Sequence, residues 1–378
     1  MTIGLNGQKL LIEYLAGPEV YAFNVFRALA KVDKQNKYIV YFDREPSKEI
    51  WQEISQSNTN FSYKVVQKII SWTQIGLAIE LLRNPVDVFF TATHTIPGIH
   101  WPKIKMVSMI HGLEYKINQQ YSGDLLRGII HPMVLWWVIA FSKIVIAPSQ
   151  ATKEAILKLR WSLATENKIK IVSEGVDEKF YKRSQQEVET IRHKYNLGSS
   201  KYLLFVSTIQ PRKNIPKMIE GFSLVLKENP SLKDTKLVVS GKNGWLYQES
   251  LEAPKKFGIE QNVLFIGRTP DEDLSMLLSG AEAFISCSLE EGFGLPLLEA
   301  MACETPAIIS DIPAFRELGK DYQIYAEPNN ANSIRTGIEN ITLNQSSIEN
   351  IKKAKQLSKS YTWESVAREL IVIFKNAK

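Results

Sequence analysis

Short apolar runs alternate with longer amphipathic stretches along the whole chain. A short apolar run reads as a strand covered on both faces, and apolar residues spaced three and four apart read as a helix laid against it. Repeated alternation of the two predicts parallel strands joined by crossover helices. A first strand starts at once, around Gly4 and Asn6. Further strands of the first half are expected at 38–42, 86–90, 105–110 and 144–147, with helices such as 21–32 and 151–159 between them. The second half is expected to place strands at 202–207, 236–240, 263–266, 283–286 and 307–310. Each of these is followed by a helix or by a loop large enough to hold a phosphate.

Between the two series, 178–200 is highly charged and ends in Asn196-Leu197-Gly198-Ser199-Ser200, the composition of a connector. A chain of 378 residues also exceeds the length at which one hydrophobic core usually stops growing, so two domains are the default. The expected boundaries are 1–180 for a first Rossmann-like domain, 181–200 for a linker and 201–359 for a second Rossmann-like domain. A last helix over 360–378 is expected to return to the first. Two doubly wound α/β units joined in this way face across a cleft at the carboxyl ends of their strands, where such folds bind ligands.

A hydrophobic share of 44% with 23% charged residues places the chain among soluble globular proteins. Cys287 and Cys303 are too few for a disulfide framework, and the five histidines form no HxxxH-type pair, so no metal site is expected. No secretory leader is visible at the start, which with the sparse cysteines implies a reducing, cytoplasmic setting. The longest apolar stretch, 128–141, contains His131 and Pro132 and is followed by Lys143. It falls short of the ~20 residues of a membrane span and reads as a buried helix, with contact at a membrane interface as the alternative.

The net charge of +6 hides an asymmetry. Residues 1–200 and 351–378 together carry 32 Lys and Arg against 20 Asp and Glu, whereas 201–350 carry 14 against 20. A basic half beside an acidic one points to an anionic partner or surface, with solvated lysines as the plain alternative. The basic residues are not interleaved with aromatics in one tract, so no nucleic acid partner is expected. No Gly-x-Gly-x-x-Gly joins a strand to a helix, which disfavours a dehydrogenase.

Two segments carry candidate chemistry. The first runs from Ser288 through Glu291-Gly-Phe-Gly-Leu-Pro-Leu-Leu-Glu299 to Cys303, after the expected strand 283–286. Gly292 and Gly294 permit backbone conformations that turn consecutive N–H groups toward a ligand, and Pro296 suits the start of a helix. Glu291 and Glu299 flank this loop, placed to accept hydrogen bonds from sugar hydroxyls. The ordinary reading makes Glu299 a complement to the helix dipole in its first turn and Glu291 a loop charge. The second segment is Ser207-Thr-Ile-Gln-Pro-Arg212-Lys213-Asn214, following the strand 202–207. Pro211 is expected to end regular structure, so that Arg212 and Lys213 project from a loop. A forked guanidinium beside an ammonium suits a diphosphate, with a solvated basic turn as the ordinary reading.

Pro-Arg-Lys-Asn214, Gly241-Lys-Asn-Gly-Trp245, Phe265-Ile-Gly267-Arg268 and Glu291-Gly-Phe-Gly-Leu-Pro-Leu-Leu-Glu299, in this order and spacing, resemble the retaining glycosyltransferases of family four. The resemblance covers about 200–318 densely. It implies a GT-B fold, a nucleoside-diphosphate sugar as donor substrate, no cofactor and no metal, and retention of anomeric configuration. Carried over, Arg212 and Lys213 bind the donor diphosphate and Glu291 and the amides of Phe293, Gly294 and Leu295 the donor sugar. Glu299 binds the ribose, and Gly267 and Arg268 wrap the base. In the first half the resemblance is looser. Gly17-Pro-Glu19-Val-Tyr21 stands where the family has a glycine-rich loop, and only Gly17 is carried over as a donor contact. His111-Gly112 resembles the family's reaction-centre histidine, where a capped loop residue is the ordinary reading. Ser149, Gly175 and Trp363 also fit, the first two shaping the cleft and the last packing the returning helix. Three departures stand out: Glu19, Ser207 and Glu304, each where glycine is usual.

Together these imply transfer of a hexose to a hydroxyl acceptor. The blocks look most like mannosyltransferases of cell-surface polysaccharide or glycolipid assembly, which suggests GDP-mannose. A lipid-linked acceptor and peripheral contact with the anionic cytoplasmic membrane face would use the basic first domain. A sugar-nucleotide-binding scaffold without turnover and a GT-B phosphorylase are the alternatives.

Overall fold

The runs Val88–Thr91, Ile144–Ala147 and Ala283–Ser286 are buried at every position. A strand tolerates that only where both of its faces are covered, the condition of a parallel sheet flanked by helices. A computed structural model of the protein describes residues 1–12, 17–99, 103–113, 125–159, 163–344 and 347–378, without the side chains of 125–131 and 344. These fall into two units: 1–113, 125–175 and 361–378 in the first, and 176–360 in the second.

The first unit holds β1 (Thr2–Asn6), β2 (Lys37–Phe42), β3 (Phe61–Val65), β4 (Val88–Thr91), β5 (Lys105–Met109), β6 (Ile144–Ala147) and β7 (Ile169–Ile171). They form one parallel sheet in the order β3-β2-β1-β4-β5-β6-β7. Its helices are α1 (Gly17–Val32), α2 (Lys48–Ser55), α3 (Leu77–Arg83), α4 (Leu125–Phe141) and α5 (Gln150–Leu157). In α4, which covers the whole of the long apolar stretch, Leu135, Val138 and Ile139 lie in a core cluster and the Trp137 indole N–H donates to the Pro97 carbonyl. Burial in this core accounts for these three positions, with Trp137 and Phe141 packed against them; Met133 and Trp136 remain exposed. No helix among the described residues is long and apolar enough to cross a membrane.

The second unit contains α6 (Gln185–Lys194), β8 (Tyr202–Val206), α7 (Ile215–Glu228), β9 (Lys236–Ser240), α8 (Gln248–Lys256), β10 (Val263–Gly267) and α9 (Asp271–Gly280). It continues through β11 (Ala283–Ser286), α10 (Leu295–Ala302), β12 (Ala307–Ser310), α11 (Pro313–Gly319), β13 (Ile324–Ala326), α12 (Ala331–Asn344) and α13 (Ile348–Ser358). Its parallel sheet runs β10-β9-β8-β11-β12-β13. The last helix, α14 (Trp363–Ala377), lies against α1 in the first unit, where Trp363, Leu370 and Phe374 join Tyr21, Val25 and Leu29 in one core.

Two sequence expectations need correction. The stretch 181–200 is not a bare linker, because it contains α6. A capping box opens that helix, the Ser184 hydroxyl accepting from the Glu187 amide and the Glu187 carboxylate accepting from the Ser184 amide. Its apolar side buries Val188 and Ile191, while Arg183 donates to Ser275 on α9. The high charge belongs to the exposed side of an amphipathic helix. In addition, β3, β7 and β13 were not expected. All three are sheet edges, and β3 buries only Phe61, so no continuous apolar run marks them.

Glu304 sits in the left-handed region at φ 59°, in the turn between α10 and β12, and its carboxylate pairs with Lys355 on α13. The conformation costs a non-glycine residue roughly 1–2 kcal/mol, and a half-exposed ion pair returns about 0–1 kcal/mol. Glu304→Gly should therefore raise the unfolding free energy by up to about 1 kcal/mol, measured by urea denaturation. Any loss of stability in this variant would mean the ion pair outweighs the strain.

Candidate functional site

In a doubly wound sheet, the strand order reverses at one point, and the loops leaving the two strands on either side of it diverge to open a crevice. In the second unit that point lies between β8 and β11. The loop after β8 carries Arg212 and Lys213, and the loop after β11 carries Glu291. The two loops are tied by the Leu289 amide donating to the Arg212 carbonyl at 2.8 Å.

Pro211 does not end regular structure as expected. It opens a short 3-10 turn, Pro211–Lys213, closed by Asn214 in the left-handed region before α7 begins. This turn draws Arg212 and Lys213 inward, so the ordinary reading of a solvated basic turn fails. Lys213 Nζ donates to Glu291 Oε1 at 2.6 Å, and Arg212 Nη1 donates to Glu291 Oε2 at 3.0 Å and to the Glu290 carbonyl at 3.1 Å. Side-chain exposures are 6% for Lys213, 11% for Arg212 and 12% for Glu291, which makes this a buried ion cluster and not a surface pair. Burial by itself pushes the Glu291 carboxyl up, but Lys213 and Arg212 outweigh it and hold the carboxyl at about 2. The three side chains carry one net positive charge. They can therefore take a further anion in the loop that follows β8.

Gly294 has φ 110°, open to glycine, and a Cβ there would meet Phe315 Cε1 at 2.9 Å. Leu295 begins α10 directly after it, and Phe293 is buried. Glu299 lies in the second turn of α10, not the first, so the dipole reading does not explain it; its side chain is half-buried. Gly267, at φ 70°, and the exposed Arg268 lie at the carboxyl end of β10, two strands from β8 on the same sheet edge, roughly 10 Å by strand spacing. Sequence reasoning passed over Ser288, which is fully buried and whose hydroxyl donates to Glu291 Oε1 at 2.8 Å. Its place three residues before Glu291 in the same loop was the available signal.

In the first unit, Gly17 is the first residue of α1; among the described residues an added Cβ there would touch nothing, and Glu19 lies buried in the first turn with Lys9 at 3.5 Å. Ser149 caps α5, accepting from the Thr152 amide. His111 follows β5, 14% exposed, between Glu174 and the Ala92 carbonyl and edge-on to Tyr21. Gly175 lets the backbone approach Trp363, whose amide nitrogen would lie 2.6 Å from an added Cβ. Among the described residues, no cluster of His, Cys, Asp and Glu could hold a metal ion.

Residues 15–180 match the family model described as Glycosyltransferase Family 4, and residues 187–359 match that for Glycosyl transferases group 1. The chain is similar to O-antigen chain mannosyltransferase B of Escherichia coli, 32% identical over 195 residues, which is 51% of this chain and 50% of that one. It is also similar to O-antigen chain mannosyltransferase RfbU of Salmonella typhimurium, 27% identical across 66% of this chain and 64% of that one. The chain thus spans about half to two thirds of the length of these curated relatives. Among solved structures, Anabaena HepE in complex with UDP and glucose superposes with TM-score 0.75 at 16% identity, over 100% of both chains, and shows the GT-B fold.

Proposed function

Because this chain belongs to the family-four glycosyltransferases, we propose that it moves a hexose, mannose by analogy with its O-antigen relatives, from a nucleoside-diphosphate sugar to a hydroxyl acceptor with retention. The observation that carries the reading is the buried Arg212–Lys213–Glu291 cluster at the switch point of the second sheet. As the bond between the anomeric carbon and the diphosphate oxygen breaks, negative charge grows on the departing group. Arg212 and Lys213 are placed to neutralise it without moving, and charge held ready in this way usually lowers a barrier more than any other single device. The acceptor hydroxyl adds on the same face, its proton passing to the departing phosphate oxygen, so no protein nucleophile is needed. Glu291, displaced toward the sugar by the incoming diphosphate, would accept from its hydroxyls. Glu299 would hold the ribose, Gly267 and Arg268 the base, and His111 would stand at the reaction centre.

A thermal-shift panel of GDP-mannose, UDP-glucose and UDP-N-acetylglucosamine tests the donor. The true donor at 100 times its Kd should add ~2.7 kcal/mol of stability. With methyl α-mannoside as acceptor, NMR of the early product should show the donor's anomeric configuration kept. No shift with any nucleotide sugar, or an inverted anomer, would overturn the assignment.

A further inference from the structure

Both ring nitrogens of His111 are engaged within the first unit. Nε2 lies 2.8 Å from the Ala92 carbonyl oxygen, just past β4, and Nδ1 lies 3.2 Å from Glu174 Oε1. A carbonyl oxygen only accepts, so Nε2 carries a hydrogen. Nδ1 then faces the carboxyl with one proton held between them, because two lone pairs at this distance would repel. The third side of the ring is closed by Tyr21, edge-on with centroids 5.0 Å apart, and Trp363 of α14 backs Tyr21 at 5.6 Å.

We propose that Glu174 is a positioning residue for the reaction: it clamps the His111 ring against Ala92, fixing the His111–Gly112 turn at the end of β5 and leaving no ring nitrogen to act as a general base. The proposal rests on the reading that puts His111 at the reaction centre. Glu174 is suited to the role because its own backbone is held. The next residue, Gly175, packs so closely on the start of α14 that a Cβ would meet the Trp363 nitrogen at 2.6 Å and the Thr362 carbonyl carbon at 2.9 Å. The carboxylate is thus presented from a fixed support, and with 10% of its side chain exposed it exchanges little with solvent. Among the described residues, the ionisable groups around the ring are Glu174, Tyr21 of α1 and, acting on Tyr21, Glu369 of α14. Burial first, then Glu174 and Glu369, push the Tyr21 phenol up, so it stays neutral beside the pair.

The test follows GDP release from GDP-mannose with methyl α-mannoside as acceptor, or from whichever donor the panel identifies. Glu174→Ala should lower kcat roughly ten- to a hundredfold with donor KM within about twofold. Glu174→Gln should restore much of that loss, because its amide donates to a ring that keeps the hydrogen on Nε2. Unchanged turnover in Glu174→Ala, or no recovery of turnover in Glu174→Gln, overturns the positioning role. His111→Gln separates the two readings: if that variant keeps full turnover, the reaction-centre assignment has failed, independently of what Glu174 does to the ring.

Discussion

Lys213→Ala should weaken nucleotide-sugar binding about ten- to a hundredfold. A charge-assisted hydrogen bond contributes roughly 1.5–3 kcal/mol, and each 1.4 kcal/mol is a factor of ten in Kd. The nucleoside without its phosphates should bind both proteins alike, since Lys213 is assigned only to the diphosphate. The same change leaves Glu291 with Arg212 and Ser288 but without its shortest partner, so some stability is lost as well. Calorimetry at a temperature well below unfolding keeps the two effects apart. An unchanged donor Kd in a folded variant would remove the diphosphate from this site.

Glu291→Gln should act in opposite directions on turnover and on product affinity. Turnover should fall, because the carboxylate proposed to accept from the donor sugar is gone. Nucleoside diphosphate alone should bind at least as tightly, because Arg212 and Lys213 no longer share their charge with an internal anion. The fold should suffer: removing one partner of a buried ion cluster destabilises by about 3–5 kcal/mol. The pH dependence follows from the carboxyl held at about 2 against an ordinary value of 4.5. A depressed carboxyl contributes stability that is present above its unfolded value and lost as pH falls through its folded value. The gap of some 2.5 units corresponds to roughly 3 kcal/mol. The difference in unfolding free energy between wild type and Glu291→Gln should therefore be full at pH 6, begin to shrink below pH 4.5 and nearly vanish near pH 2. A difference independent of pH in that window would mean that Glu291 is not the charged partner of Arg212 and Lys213.

The two α/β series, the central strands and the two loops of candidate chemistry were legible in the sequence because each rests on local physics. A central strand of a parallel sheet is apolar at nearly every position, so β4, β6, β8, β11 and β12 announce themselves. Edge strands such as β3 and β7 meet solvent along much of their length and carry no such run. The capped helix α6 was hidden for the opposite reason: its charge was conspicuous, while the two apolar side chains that dock it on the second unit were not.

Residue type and spacing by themselves offered Arg212, Lys213, Glu291 and Gly294 as candidates, and the family resemblance placed them in one expected site. Only the tertiary structure decided that the two cations point at the carboxylate. Seventy-eight residues separate Lys213 from Glu291, and their meeting depends on β8 and β11 being neighbours at the switch point. Sequence spacing carries no record of that pairing, which is set by which strand lies beside which. The same holds for His111 and Glu174, brought together from beyond β5 and β7, and for Tyr21 and Trp363, which enclose them from α1 and from the far end of the chain. Local sequence sets which groups are available and on which kind of element; long-range packing sets which of them are buried together, and so which charges are compensated and which ring nitrogens are already in use.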